Sequence, residues 1–295
     1  MNINQGNIEQ FIHYLRVEKR YSDNTLLAYA KDIDQFSLFL KKQFNFSFAQ
    51  TKHLHIRSYI VKLMNDKITN RSVCRKLSAI KSLYKFLLKK GVVESSPLAN
   101  IQLPKIEKRL PSFVKEKEIL LLNDRNFYSE DFFGLRDYIL VRLFYQTGMR
   151  LSELTGLKDN DVSKDTIKVL GKRNKERIIP ISMNFSLILK EYKSVKIKEF
   201  QVQSDSFIVS DNGDKVYEKF VYRKVNYYIG KVSSLEKKSP HVLRHTFATH
   251  MLNNGADLNA IKEILGHENL SATQVYTHNS FEKLKNIHKQ AHPRG

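Results

Sequence analysis

Six side chains in the second half of this 295-residue sequence are of types that act on anions and protons. Arg150 stands in "TGMRLSEL", with Glu153 three residues on. Lys172 lies in "GKRNKER". His241 and Arg244 share "HVLR", His267 closes "LGH", and Tyr276 sits in "TQVYTH". Guanidinium groups stay charged at any working pH and give paired, planar donors to phosphate oxygens. Imidazole exchanges protons near neutrality. A phenol surrounded by positive charge can serve as a nucleophile. Singly, each residue has a plainer reading: Arg150 as a helix cap, Lys172 as a solvated turn, His241-x-x-Arg244 as a surface pair, and Tyr276 as one of 14 tyrosines. His245 and His250 read as helix-packing histidines. His241 and His245 have the i, i+4 spacing of a zinc pair. No third ligand of the usual kind and no cysteine pair accompanies them, so no metal and no other cofactor is expected.

The surroundings fit a polyanionic partner. Formal net charge is +20, and the isoelectric point is about 9.8. A globular protein this basic usually meets a polyanion. Residues 1–110 hold 20 Lys and Arg against 8 Asp and Glu, so most of the excess lies there. No run of about 18 apolar residues occurs, and the N-terminus lacks the apolar core of a signal peptide. The one cysteine, Cys74, fits a reducing cytosol. A cytoplasmic protein without membrane contact is therefore expected.

These side chains need a scaffold, and its elements can be read from periodicity. Residues 5–19, 22–42, 52–66 and 69–90 show helical spacing of apolar residues. In the fourth, Val73, Leu77, Ile80, Tyr84 and Leu87 share one face. Arg71, Arg75, Ser78, Ser82, Lys85 and Lys89 share the other, and Gly91 is placed to end the helix. A basic face broken by small hydroxyls suits a helix lying against DNA, because serine lets a phosphate approach. A plain solvated face is the alternative. Residues 92–113 hold three of the six prolines and read as a linker. Beyond it come an apolar helix (134–148), a hairpin (165–181), a helix (183–200), a short strand "SFIVS" and a turn at Asn212-Gly213. Further helices run from about 218 to 290. The expected fold is mainly α with two domains. A helical N-terminal domain (1–91) precedes an α+β C-terminal domain (114–295) with a small antiparallel sheet.

The ordered set Arg150, Lys172, His241-x-x-Arg244, His267, Tyr276 resembles the tyrosine recombinase family. The flanking "HVLRHTFATHML" and "GADLNAIKEILGH" add to the likeness, which spans nearly the whole chain. Within the family the chain is most similar to the bacterial XerC/XerD group, which resolves chromosome dimers. Arg173 stands where relatives often carry a small residue. The resemblance implies a four-helix, SAM-like core-binding domain ahead of a catalytic domain. It implies strand cutting and rejoining through a 3′-phosphotyrosine and a Holliday junction, without metal or ATP. Arg150 and Arg244 would clamp the phosphate, and His267 would hydrogen-bond it. His241 would assist proton transfer from the nucleophile Tyr276. Lys172 would protonate the leaving 5′-oxygen as general acid, and Glu153 would orient Arg150 or His241.

The partner implied is double-stranded DNA carrying a specific recombination site, bound by a homo- or hetero-tetramer. A second Xer recombinase and a DNA translocase are further partners of such a system. Phe281, Leu284 and Ile287/His288 form an apolar stripe on a short helix near the C-terminus, whose plainer reading is a cover for its own domain's core. The resemblance implies that this last helix docks into a neighbouring subunit. Two other functions fit parts of the sequence. One is an integrase or transposon recombinase of a mobile element. The other is a non-catalytic DNA-binding regulator, since "GADLNAIKEILGHENLSATQVYTH" has a helix-turn-helix look. The regulator leaves Arg150, Lys172 and Tyr276 without a reason to occur together.

Overall fold

The computed structural model describes residues 4–105, 112–171, 175–201 and 205–266. The chain forms two compact units, Met1–Arg109 and Leu110–Gly295, each with its own apolar core. Lys172, His267, Tyr276, Phe281, Leu284, Ile287 and His288 lie outside the described residues.

The N-terminal unit is built from four helices, α1 (Gln5–Val17), α2 (Asp23–Phe44), α3 (His53–Asn65) and α4 (Asn70–Lys89). Helix α4 starts at Thr69, whose hydroxyl accepts the Ser72 N–H. It buries Val73, Leu77, Ile80, Tyr84 and Leu87 against the other three helices. It ends in a Schellman motif: Gly91 N–H reaches Leu88 O and Val92 N–H reaches Leu87 O. Gly91 has φ +69°, a backbone region that costs glycine little. Asp32 of α2 is buried, and two cations of α4 hold it: Lys76, itself buried, at 2.9 Å, and Arg75. A lone buried carboxylate would be strongly destabilising, so the pair must be kept together.

The proline-rich stretch from residue 92 is partly a piece of this unit. Leu98 is buried in its core, with Val93 and Ile101 packed beside it. Pro104 O accepts the Cys74 thiol, and Lys105 O accepts the Asn70 side-chain amide. Prolines break the helical period without preventing a stretch of bends and turns from packing.

The C-terminal unit is organised around α6 (Phe132–Thr147), buried along almost its whole length. Around it pack α5 (Glu116–Leu122), α8 (Met183–Phe200), α9 (Glu218–Val232) and α10 (Pro240–Asn253). A helix enclosed on every side must pair its charges. Arg136 of α6 binds Asp137 and Asp211, and Arg142 donates to Tyr138. The antiparallel hairpin comprises β1 (Thr166–Leu170) and β2 (Glu176–Pro180), with Ile167 opposite Ile179 and Val169 opposite Arg177. The strand expected at 206–210 does not form a ladder. Phe207, Ile208 and Val209 are buried, but the segment makes only isolated bridges, Lys158 with Ser206 and Val209 with Lys215. Its apolar run reflects burial and not strand pairing. Two short α-helices, α7 (Leu151–Thr155) and α11 (Leu258–Leu265), and two 3-10 turns, Arg125–Phe127 and Asp159–Asp161, complete the described elements.

Candidate active site

The site begins where α6 stops. Gly148 takes φ +60°, and a Cβ there would stand 2.6 Å from Phe247 and 2.7 Å from Leu265. Only glycine fits, and the chain turns sharply into Arg150, the N-cap of α7. Glu153, in the first turn of α7, accepts the Arg150 N–H at 2.7 Å and its Nη1 at 2.8 Å. The buried Glu153 carboxylate also takes both Nη groups of Arg177, at 2.7 and 2.8 Å. Burial by itself would raise its pKa. The hydrogen bonds and charge of Arg177, together with the Arg150 contacts, outweigh that and hold it at about 2.

The second wall is the end of α11. Asp257 caps the start of this helix by accepting the Asn259 and Ala260 N–H groups. At its other end three arginines take three consecutive carbonyls. Arg177 Nε donates to Ile264 O at 2.7 Å, Arg244 Nη2 to Leu265 O at 2.8 Å, and Arg150 Nη2 to Gly266 O at 2.8 Å. The last carbonyls of a helix lack partners within it and carry partial negative charge, so cations are stabilising there. Arg244 also donates to Gly148 O, so one guanidinium ties the end of α6 to the end of α11. Gly266 leaves the helix at φ +63°, and His267 is the next residue.

A guanidinium has five N–H donors. Among the described residues, carbonyl and carboxylate acceptors take two from Arg150 and two from Arg244. Three guanidiniums against the single Glu153 carboxylate leave the cluster two charges positive. Burial and the neighbouring Arg150 lower the Arg244 pKa to about 10, still charged at neutral pH. His241 lies in the first turn of α10, with its ring 4.7 Å from that of His245. Partial burial, His245, Arg244 and Arg150 all push the His241 pKa down, so its imidazole is held neutral and able to accept a proton.

The phage integrase family matches residues 112–283, and its N-terminal SAM-like domain matches residues 8–91. The chain is 37% identical to tyrosine recombinase XerC of Bacillus subtilis (strain 168), covering 97% of this chain and 96% of that protein. It is 36% identical to tyrosine recombinase XerC of Chlorobaculum parvum, covering 97% and 94%. This chain belongs to the phage integrase family of tyrosine recombinases. Its fold is that of the XerH site-specific recombinase bound to difH substrate (TM-score 0.69, 21% identity, 94% of this chain and 82% of that one). A lambda integrase (75–356) dimer bound to a COC′ core site shares it as well (TM-score 0.68, 16% identity, 92% and 97%).

In the recombinase, Arg150, Glu153 and Arg244 meet in one bonded cluster, with His241 one turn from Arg244. Glu153 bonds Arg150 and not His241 among the described residues. His250 is buried with Nδ1 3.1 Å from the Tyr145 hydroxyl, in keeping with a packing histidine. The α4 residues Arg71, Arg75, Ser78, Lys85 and Lys89 are exposed, and Ser82 is half-buried. Arg75 shares its charge with Asp32, and the Ser78 hydroxyl turns back to Cys74 O at 2.8 Å. Sequence reasoning passed over Arg177. The signal was present in "ERIIP": strand alternation puts Arg177 on the same inward face as Ile179.

Proposed function

We propose that this recombinase cuts and rejoins DNA at a specific site through Tyr276, and that it resolves chromosome dimers. Full-length similarity to XerC proteins supports the chromosomal role. The observation that carries the chemistry is the convergence of Arg150 and Arg244 on adjacent carbonyls, Gly266 and Leu265. That arrangement sets two charged donors side by side, next to a neutral His241.

The Tyr276 oxygen attacks phosphorus while His241 takes the phenolic proton. The bond from phosphorus to the 5′-oxygen breaks, and Lys172 passes a proton to that oxygen. Negative charge growing on the nonbridging oxygens is met by Arg150 and Arg244, with His267 as a further donor. Removing one such donor typically costs about 2.7–4 kcal/mol of barrier. The 3′-phosphotyrosine keeps the bond energy, so a 5′-hydroxyl from another strand reverses the step without metal or ATP. Four DNA arms call for four protomers, either identical or shared with a second Xer recombinase, and a DNA translocase is the natural activator of such a system. The test is incubation with a library of nicked duplexes, followed by sequencing of covalently trapped fragments. One shared sequence on the trapped DNA is expected. No SDS-stable adduct would overturn the reading.

A further inference from the structure

Arg177 has no place in the strand-transfer scheme above, yet its guanidinium makes three hydrogen bonds in the site, against two each for those of Arg150 and Arg244. It is buried, and its fork takes both oxygens of Glu153 while Nε holds Ile264 O. Three separate elements therefore meet on one guanidinium: β2, which carries it, α7 through Glu153, and the last turn of α11. The two glycines that precede Lys172 and His267 also pack on it. A Cβ at Gly171 would stand 3.6 Å from Arg177 Nη1 and 3.7 Å from Glu153 Oε1. A Cβ at Gly266 would stand 3.3 Å from Arg177 Nη1.

We propose that Arg177 is a positioning residue for strand cleavage: through Glu153 and the Ile264 carbonyl it sets Arg150 and the chain ends that lead into Lys172 and His267. The inference rests on the assignment of those residues to the reaction. The chemistry favours arginine here over any other cation. A lysine nitrogen can reach a carboxylate and a carbonyl from a single point, as Lys196 does with Asp159 and Ser206 O, but it has no planar fork of parallel N–H groups to fix the plane of a carboxylate. A buried Glu153 left with Arg150 alone would lose the fork that fixes its plane. Arg150, bonded to that carboxylate at 2.8 Å, would then shift with it. Misplacing a catalytic group by about 1 Å can cost on the order of 100-fold in rate.

The experiment compares the full-length protein with Arg177→Gln and Arg177→Lys, using a nicked duplex recovered from the trapping library. Three quantities are read: half-site affinity by gel shift, the rate constant of covalent adduct formation in a single turnover, and the final adduct amplitude. Arg177→Gln should slow the rate constant about 100-fold and Arg177→Lys about 10-fold, with affinity within about 3-fold of the unsubstituted protein. The double variant Glu153→Gln/Arg177→Gln should be no slower than the slower single one, because the two act as one unit. A purely structural role lowers the amplitude by reducing the folded fraction and leaves the rate constant alone. That result, or additive effects in the double variant, would overturn the proposal. If Arg177→Gln does not fold, the rate constant of Arg177→Lys decides. Failure of the unsubstituted protein to form any adduct overturns the site assignment itself. A normal adduct with unchanged variant rates overturns only the role of Arg177.

Discussion

In the proposed scheme the chemistry turns on Tyr276. Tyr276→Phe should bind DNA with unchanged affinity and form no SDS-stable adduct; an adduct from this variant would end the assignment. Lys172→Ala should cut normal DNA slowly. It should cut a substrate with sulfur at the 5′-bridging position nearly as fast as the native protein does, since a thiolate leaves without an acid. Equal impairment on both substrates would remove the general-acid role. His241 makes a pH prediction. Burial and three cationic or titratable neighbours depress its pKa, so it stays neutral below the ordinary imidazole value of about 6.5. The acid limb of the cleavage rate should therefore fall below that value in the native protein. A limb above pH 6.5 would exclude His241 as the proton acceptor. Glu153 has the same sign in stability. Its contribution is complete above the ordinary carboxylate range and is lost as pH falls toward about 2.

At the scale of the element, the sharp exit from α6 is as decisive as any charged group. Gly148→Ala places a methyl where Phe247 and Leu265 already stand, in a left-handed backbone. Overpacking of this kind costs typically about 1–3 kcal/mol. Urea unfolding should show a lower midpoint, and an unchanged midpoint would mean that the junction of α6, α10 and α11 is looser than drawn. Helix α4 makes a different prediction. Arg71 and Lys85 are exposed and have no acidic partner among the described residues, whereas Arg75 is tied to Asp32. Replacing Arg71 and Lys85 with alanine should flatten the slope of log K against log salt by up to about 2 units, if each neutralises one phosphate. An unchanged slope would mean that this face points away from DNA.

At the scale of the molecule, a net charge of +20 spread over two units with separate cores suits a protein that grips a long polyanion. Among the described residues no helix is long and apolar enough to cross a membrane. Assembly is the remaining property of the whole. If the segment after Ser280 docks into a neighbouring subunit, a head-to-tail contact can close into a ring. A chain truncated after Ser280 should fold and bind one half-site, but lose cooperative binding to the full site and most recombination. Gel shifts on half and full sites, with ultracentrifugation of the complexes, measure this. Normal cooperativity in the truncated chain would refute the exchange.

Much of this was written in local pattern. The helices of the N-terminal unit follow from apolar spacing, and the α4 face follows from the same period, because a helix repeats within a few residues of itself. The hairpin is visible as two β-branched runs around a polar turn. Gly148 and Gly266 stand in the sequence at the ends of apolar runs, which is where helix ends need left-handed residues. What no local pattern contains is the meeting of distant groups. Arg75 reads in the sequence as one more cation on a basic face, but folding ties it, with Lys76, to Asp32, more than 40 residues away and buried. The segment 206–210 has the composition of a strand, and only packing decided that it would be a buried loop. Arg177 is the clearest case. Its alternation shows that it points inward, but a buried arginine is tolerable only with fixed partners, and those are supplied by Glu153 and by the carbonyl end of α11, 87 residues along the chain. The residue types and their order came from the sequence. The tertiary structure decided which carbonyls and carboxylates would hold them, because the desolvation of each charge is offset only by groups that folding brings within bonding distance.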